Sequence, residues 1–373
     1  MRTTSRLTRR RRGLAAALAL TAGLVASTVH ATPASALDVP GDALVFAPTS
    51  ALTNLVWRAG TTSTFAVGGP YSQSLAGNFD GAAGGDLFIY RPGSGQDYIQ
   101  HLTKTGSTTS STLKPETVSG SFKPFVGDFD GNGVDDVFWY APGASPDYLW
   151  LFDASGAHMT VRKSVGGTYR PIVVDANGDG RDDVIWYAPG TASDAMWLFG
   201  PGATHTSKGV AIGGSYTTAV GVFGLEDEGD PAEGVVFYNP SGPDYLWNFD
   251  SAANHSSFAL PNVDGNYQLL PGQYLEETYG SLLYYGPGSL PERLFAFGPG
   301  PGPDIAVQDA PSIAGTYVIR AGDFNADGLT DLSLTTNPTT RIWYFDGGKP
   351  ASTTSFANSP NILGGPTVVP MGS

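Results

Sequence analysis

Short apolar segments in which adjacent residues are both large recur along this chain at 44–48, 87–92, 137–142, 184–189, 235–240, 282–287 and 332–338. Each closes on a proline, and these prolines lie 44 to 51 residues apart. A second apolar segment follows every copy, at 54–57, 97–100, 147–152, 194–199, 244–249, 292–297 and 341–345. In Val137-Phe138-Trp139-Tyr140, neighbours that point to opposite sides of a strand are all large. Such strands must be covered on both faces, which stacked sheets provide and a half-exposed sheet does not. A period near 50 made only of strand-like segments predicts blades arranged around a ring.

Each period reads as four antiparallel strands. In one copy these are 169–174, 184–187, 195–199 and 209–213, joined by an acidic turn, a Pro-Gly loop and a variable hairpin. The chain enters the pattern on a second strand, at 42–46, and ends on a candidate first strand at 367–371. Pairing those two segments would complete one blade from both ends of the chain and remove the open seam. The expected fold class is therefore all-β: a seven-bladed β-propeller of four-stranded antiparallel blades, closed by its terminal strands, over residues 37–373.

Residues 1–36 fall outside that pattern. Arg9–Arg12 precede an apolar stretch from Leu14 to Val29, and Ala34-Ser35-Ala36 supplies a small-x-small cleavage signature. This reads as a secretory signal peptide, with an apolar core too short for a stable membrane span. General secretion and twin-arginine export both remain open. A secreted, extracellular location without membrane insertion after signal removal is expected. Loss of the segment's six arginines leaves 14 basic residues against 34 acidic ones, a net charge of −20. That balance disfavours nucleic acid and anionic lipid as partners and favours divalent cations or neutral ligands. With no cysteine, stability must come from packing, hydrogen bonds or metal rather than disulfides.

The turns between the first and second strands carry the candidate chemistry. Asp128, Asp130, Asn132 and Asp136 occupy positions 1, 3, 5 and 9 of one loop. Asp175, Asn177, Asp179 and Asp183 repeat the pattern, as do Asp323, Asn325, Asp327 and Asp331. Position 7, at Val134, Arg181 and Leu329, can offer its carbonyl, and glycine at position 6 permits the sharp turn. A Ca²⁺ ion takes six to eight oxygens at about 2.3–2.6 Å, and alternate residues of a tight loop can converge on one. No flanking helix or glutamate at position 12 makes these EF-hands. A fourth loop keeps only Asn78, Asp80 and Asp86, with Ala82 and Ala83 in its middle, and is a weak site. The loop at 226–234 is acidic but has Pro231 and Gly234 where glycine and aspartate are expected. The one at 273–281 has lost the pattern.

The segments Gly127-Asp128-Phe129-Asp130-Gly131-Asn132-Gly133 and Gly322-Asp323-Phe324-Asn325, with Tyr-Ala-Pro-Gly at 140–143 and 187–190, resemble FG-GAP or VCBS repeats. That family includes the propeller of integrin alpha subunits and many secreted bacterial proteins. The resemblance implies a seven-bladed propeller with Ca²⁺ in the first-to-second-strand turns. It implies little about activity, since such propellers serve as adhesion heads, lectins and accessory modules.

The opposite face collects a Gly-x-aromatic signature before six of the seven first strands, including Tyr169 and Tyr216 (Thr367 stands in the seventh), and an aspartate opening several third strands, including Asp194 and Asp244. Aromatic rings beside carboxylates suit carbohydrate. The competing reading is architectural, with the rings packed between blades and each Asp capping its own turn. His158, His205 and His255 fall in successive third-to-fourth-strand hairpins and are expected as exposed turn residues. No nucleophile elbow, zinc-protease or phosphate-loop motif is present, so no catalytic residue is assigned. The expected function is a non-catalytic, calcium-binding module for an extracellular glycan or protein. A carbohydrate-active enzyme and a plain scaffold are the alternatives.

Overall fold

The computed structural model describes residues 42–48, 53–67, 69, 71, 73–82, 84–105, 108–225, 231–275, 280–298, 305–308, 310–336, 338–357 and 362–369. The proposed signal segment, 1–36, lies outside the described residues. The described residues form seven four-stranded antiparallel sheets, a seven-bladed β-propeller as the period predicts. Blade 1 comprises Ala43–Pro48, Thr53–Arg58 and Thr61–Ala66, with Ile362–Val369 as its innermost strand. Blades 2 to 7 follow as residues 73–116, 123–163, 170–210, 217–260, 268–308 and 318–357. The closing strand pairs antiparallel with the first one, setting Leu44 opposite Val368 and Val45 opposite Thr367.

Burial explains the two-sided apolar strands. In blade 3, Asp136–Tyr140 is buried throughout, and its side chains alternate between neighbours. Val137 and Trp139 join the cluster shared with blade 2, while Phe138 and Tyr140 join the one shared with blade 4. Every junction has such a cluster, seven around the ring, so the core is a set of seams between blades. Six of the seven tryptophans (57, 139, 150, 186, 197 and 247) are buried in these seams. Trp343 packs against the seam between blades 6 and 7.

Tyrosines near the ends of second strands latch one blade to the next. The Tyr140 hydroxyl donates to the Gly167 carbonyl at 3.0 Å and accepts from the Tyr169 N–H at 2.8 Å. Tyr187 does the same with Gly214 and Tyr216, Tyr90 with Gly120 and Phe122, and Tyr285 with Gly315 and Tyr317. The glycines are required there. Gly167 has φ +82°, and a Cβ would sit 3.0 Å from the Tyr169 ring. The Gly-x-aromatic signature is thus explained by the latch.

Some boundaries differ from the sequence reading. The fourth strand of blade 4 runs Thr204–Val210 rather than 209–213, because it pairs with the whole of Asp194–Gly200. The acidic loop of blade 5 begins earlier than Glu226. Gly280 N–H donates to the Val222 carbonyl, as Asp135 does to Asn78 and Asp182 to Asp128, so Val222 occupies position 1. Residues 226–230 lie outside the described residues.

Candidate functional site

Antiparallel connectivity places the acidic loops and the third-to-fourth-strand hairpins on one face, and the remaining loops on the other. On the acidic face, the first loop is the best formed. Carboxylate oxygens of Asp128, Asp130 and Asp136 lie within 4.8 Å of one another. Asp128 is buried, and its oxygens accept the N–H groups of Gly131, Asn132 and Gly133. Asp136 holds the loop to the sheet, accepting from Phe129 at 3.0 Å and from Phe152 at 2.8 Å. Burial, and then the charges of Asp130 and Asp128, push the Asp136 pKa up to about 9. A cation among such crowded, desolvated carboxylates would favour their ionised form, and the all-oxygen donor set is of the kind a hard cation takes. Val134 packs its side chain into the seam with blade 2.

The second and third loops share that scaffold but aim their donors differently. Asp183 accepts from Ala176 and Phe199, and Asp331 from Phe324 and Phe345. Burial first, then neighbouring aspartates, raise them to about 8 and about 7. In the second loop Asp175 accepts from Gly180 N–H, Asp179 meets the Arg181 guanidinium at 3.1 Å, and Asn177 accepts from Asp179 N–H. In the third, Asp323 accepts from Ala326, Asp327 and Gly328. Asp327 accepts from the Asn325 amide and the Leu329 N–H.

The residue at position 8, not singled out in the sequence, clasps the preceding blade. Asp182 accepts the Asp128 N–H at 2.8 Å while its own N–H donates to the Asp128 carbonyl at 2.9 Å. Asp135 clasps Asn78, Thr330 clasps Gln273, and Asp42 clasps Asp323 in the same two-point way. Glu233 accepts from Asp175 N–H. The Asp-Asp doublets at 135–136 and 182–183 were the legible signal: one acid for the neighbour, one for its own loop.

On the other face, the aspartates are buried and fully engaged. Asp194 accepts from Ala188 at 2.7 Å and Ile212 at 2.9 Å, and Asp244 from Asn239 and Val263. Asp97 and Asp147 repeat the arrangement. Each staples its own turn to the connection leading to the next blade. Burial raises the Asp244 pKa to about 6, which a sugar-binding carboxylate in open solvent would not show.

The aromatic residues, in contrast, frame a cleft. Ala211, Ile212, Tyr216, Phe237, Tyr245, Trp247, His255 and Ser257 line a cavity of about 290 Å³ at the junction of blades 4 and 5. Its walls are rings: Tyr216 meets Phe237 at 5.8 Å and Tyr245 at 6.4 Å, and Phe237 meets Trp247 at 4.8 Å. His255 stacks on Trp247 at 3.7 Å, with an interplanar angle of 15°. The same stack occurs in blades 3 and 4, as His158 on Trp150 at 3.9 Å and His205 on Trp197 at 3.8 Å. These histidines are therefore strand residues with a partner ring rather than turn residues. Burial, and then the charge of Lys208, lowers the His255 pKa, and Lys163 acts likewise on His205. Both shifts favour the neutral ring. In blades 3 and 4, Trp139 and Trp186 stand where blade 5 has Phe237, packing against Trp150 and Trp197 at 5.2 Å. The smaller phenyl ring accompanies the open cleft in blade 5. Tyr169 meets Trp186 at 6.1 Å at the corresponding point of blade 4.

Among the described residues, no helix is long and apolar enough to cross a membrane. No family model and no curated protein matches the sequence. Solved structures do match. A lectin from Agrocybe aegerita that recognises non-reducing terminal N-acetylglucosamine superposes with a TM-score of 0.70 at 13% identity, covering 90% of this chain and 98% of that one. A protein from Lactobacillus plantarum gives 0.54 at 10% identity, over 89% of this chain and 98% of that one. At these identities the likeness is one of fold.

Proposed function

We propose that this protein is a secreted, non-catalytic glycan-binding propeller of the FG-GAP type, held in shape by Ca²⁺ in its acidic loops. The observation that carries the reading is the aromatic cleft between blades 4 and 5. Stacked and edge-on rings present an apolar wall to the C–H face of a pyranose, and Tyr216, Tyr245, His255 and Ser257 offer polar atoms at its margin. The Trp–His stack recurs in blades 3 and 4, but there Trp139 and Trp186 pack into the space beside it, so the reading rests on the single cleft of blade 5. The lectin that shares the fold recognises terminal N-acetylglucosamine, making that sugar the first ligand to try. The described carboxylates Asp194 and Asp244 are engaged with backbone amides, which argues against their serving as a glycosidic acid–base pair.

For the metal, Asp128, Asp130, Asn132 and Asp136 would hold the ion in the first loop. Their counterparts at Asp175, Asn177, Asp179 and Asp183, and at Asp323, Asn325, Asp327 and Asp331, would serve the other two. Bound Ca²⁺ neutralises the clustered acids, and the chain's own clasps pass that ordering to the adjacent blade.

A glycan array run with and without Ca²⁺ tests both parts. The native protein should retain glycans ending in N-acetylglucosamine, and Tyr245→Ala, on the wall of the cleft, should lose most of that retention when assayed well below its own melting temperature, which falls because the ring packs against the seam. Retention unaffected by Tyr245→Ala would remove the cleft from the account. Chelation that leaves the melting temperature unchanged would make the loops plain turns.

A further inference from the structure

The degenerate loop of blade 2 differs from the complete loops in a way that changes its chemistry. Its position-9 acid, Asp86, still accepts from the position-2 amide, Phe79, at 2.6 Å. In the complete loops the other oxygen takes an N–H from the third strand, as Asp136 does from Phe152. Here the corresponding amide, Leu102, donates instead to the Gly85 carbonyl at 2.9 Å. Gly84 permits that approach: its φ is +139°, and a Cβ would lie 2.1 Å from the Leu102 carbonyl oxygen. The freed Asp86 oxygen faces the imidazole of His101 at 2.9 Å. Strand register places His101 where blades 3 and 4 carry Leu151 and Leu198.

Asp80 completes the arrangement. One of its oxygens accepts from Ala82 N–H at 2.9 Å, which fixes the carboxylate, and the other lies 3.1 Å from His101 Nδ1. Two carboxylate oxygens thus converge on one ring nitrogen, which carries at most one proton. The three ligand atoms lie within 4.8 Å of one another. Side-chain exposure rises from 3% for Asp86 to 16% for His101 and 25% for Asp80, so the group is anchored in the sheet and open at its outer edge. Lys114, whose charge opposes protonation of His101, is paired with Glu116 at 2.6 Å.

We propose that Asp80, Asp86 and His101 form a binding site for a borderline transition-metal ion of the Zn²⁺ class, distinct in preference from the calcium loops. Ala82 removes the oxygen donor at position 5, and Ala83 replaces the turn glycine at position 6, so the loop offers Ca²⁺, which takes six to eight oxygens, a poorer cage than the complete loops do. An imidazole nitrogen with two carboxylates is a donor set that Zn²⁺ favours, at about 2.0–2.2 Å per ligand. Tetrahedral ligands at that range stand about 3.3 Å apart, near the separations seen at His101. The hydrogen bonds from Phe79 and Ala82 are the outer contacts that orient such ligands. Three protein ligands leave a fourth position for water or for a donor from another molecule.

The test is titration of the full chain with ZnCl₂ after chelator treatment, in the presence of excess Ca²⁺, followed by calorimetry and by the ¹⁵N resonances of the imidazoles. One Zn²⁺ should bind without being displaced by Ca²⁺ and should shift the Nδ1 resonance of His101. Asp80→Asn and His101→Gln should each weaken that event by at least 10-fold, while other histidines continue to supply any background. Asp80 is the most exposed of the three, so Asp80→Asn decides the matter even if His101→Gln fails to fold. An unshifted His101 Nδ1 resonance, displacement by Ca²⁺, or an unchanged isotherm in Asp80→Asn would overturn the site and leave a hydrogen-bonded cluster. None of these results bears on glycan retention, so the two proposals fail separately.

Discussion

Tyr140 shows how a single hydroxyl serves two blades. It belongs to blade 3 and is buried there, yet both of its hydrogen bonds run to the connection entering blade 4. Tyr140→Phe keeps the ring in its seam and removes only the oxygen. The Tyr169 N–H then loses its acceptor, while the Gly167 carbonyl keeps the Gly143 N–H. A part-buried hydrogen bond contributes about 0.5–1.5 kcal/mol net, so Tyr140→Phe should lower the unfolding free energy by that amount in a denaturant titration. A change within a few tenths would mean that water replaces the hydroxyl and the latch holds nothing. Tyr187→Phe should give the same result, since its bonds to Gly214 and Tyr216 have matching lengths. The repeat of Gly-x-Tyr was legible in the sequence as a regularity. Its purpose was not, because the partner tyrosine lies 29 residues earlier and only the packed seam brings the two together.

At the scale of the element, the acidic loop is a hinge between its own blade and the one before. Its position-9 acid, Asp183, ties the loop to its own second and third strands, and its position-8 acid, Asp182, reaches back to the loop of blade 3. Burial, and then the charge of Glu233, hold the Asp182 pKa well above the usual carboxylate range. Asp182→Ala leaves the Asp128 N–H without its acceptor while the backbone pair from residue 182 to the Asp128 carbonyl remains. Amide hydrogen exchange at Asp128 should therefore accelerate by roughly 5- to 150-fold, the equivalent of about 1–3 kcal/mol, with little change in blade 7. Unaltered exchange at Asp128 would show that the backbone pair alone sets the junction. Alternating donors at 1, 3, 5 and 9 could be read from the sequence because they are local. The blade 5 loop was misplaced by four residues, from Val222 to Glu226, because its acids drew the reading to the insertion rather than to the strand end. His101 was missed for a related reason: its loop partners, Asp80 and Asp86, lie 21 and 15 residues away, and only strand pairing unites them.

For the whole molecule, the decisive junction is the one that no covalent connection spans within the ring. The period and the two-sided strands made seven blades legible, and the incomplete first and last copies made the closure legible too, because a missing inner strand at one end matched a surplus strand at the other. What the structure adds is how both neighbours grip that strand. Arg320 of blade 7 donates to the Pro366 carbonyl at 2.9 Å, and Ser74 of blade 2 lies 3.0 Å from the Thr367 hydroxyl. Asp42 clasps Asp323 at the same seam. Removing residues 362–373 would expose the buried edge of Ala43–Pro48 and strip both adjacent blades of an inner neighbour. Stability in such rings is close to a sum of unit and neighbour terms, so the loss should concentrate at blades 1, 2 and 7. The truncated chain should melt at a lower temperature and over a broader range. Hydrogen exchange should rise first in Thr53–Arg58, while the strands of blade 4 keep their protection. The newly open strand edge should also promote self-association in size-exclusion chromatography. Uniform loss of protection around the ring would instead mean that the seven blades unfold as one unit, with closure acting on all of them equally.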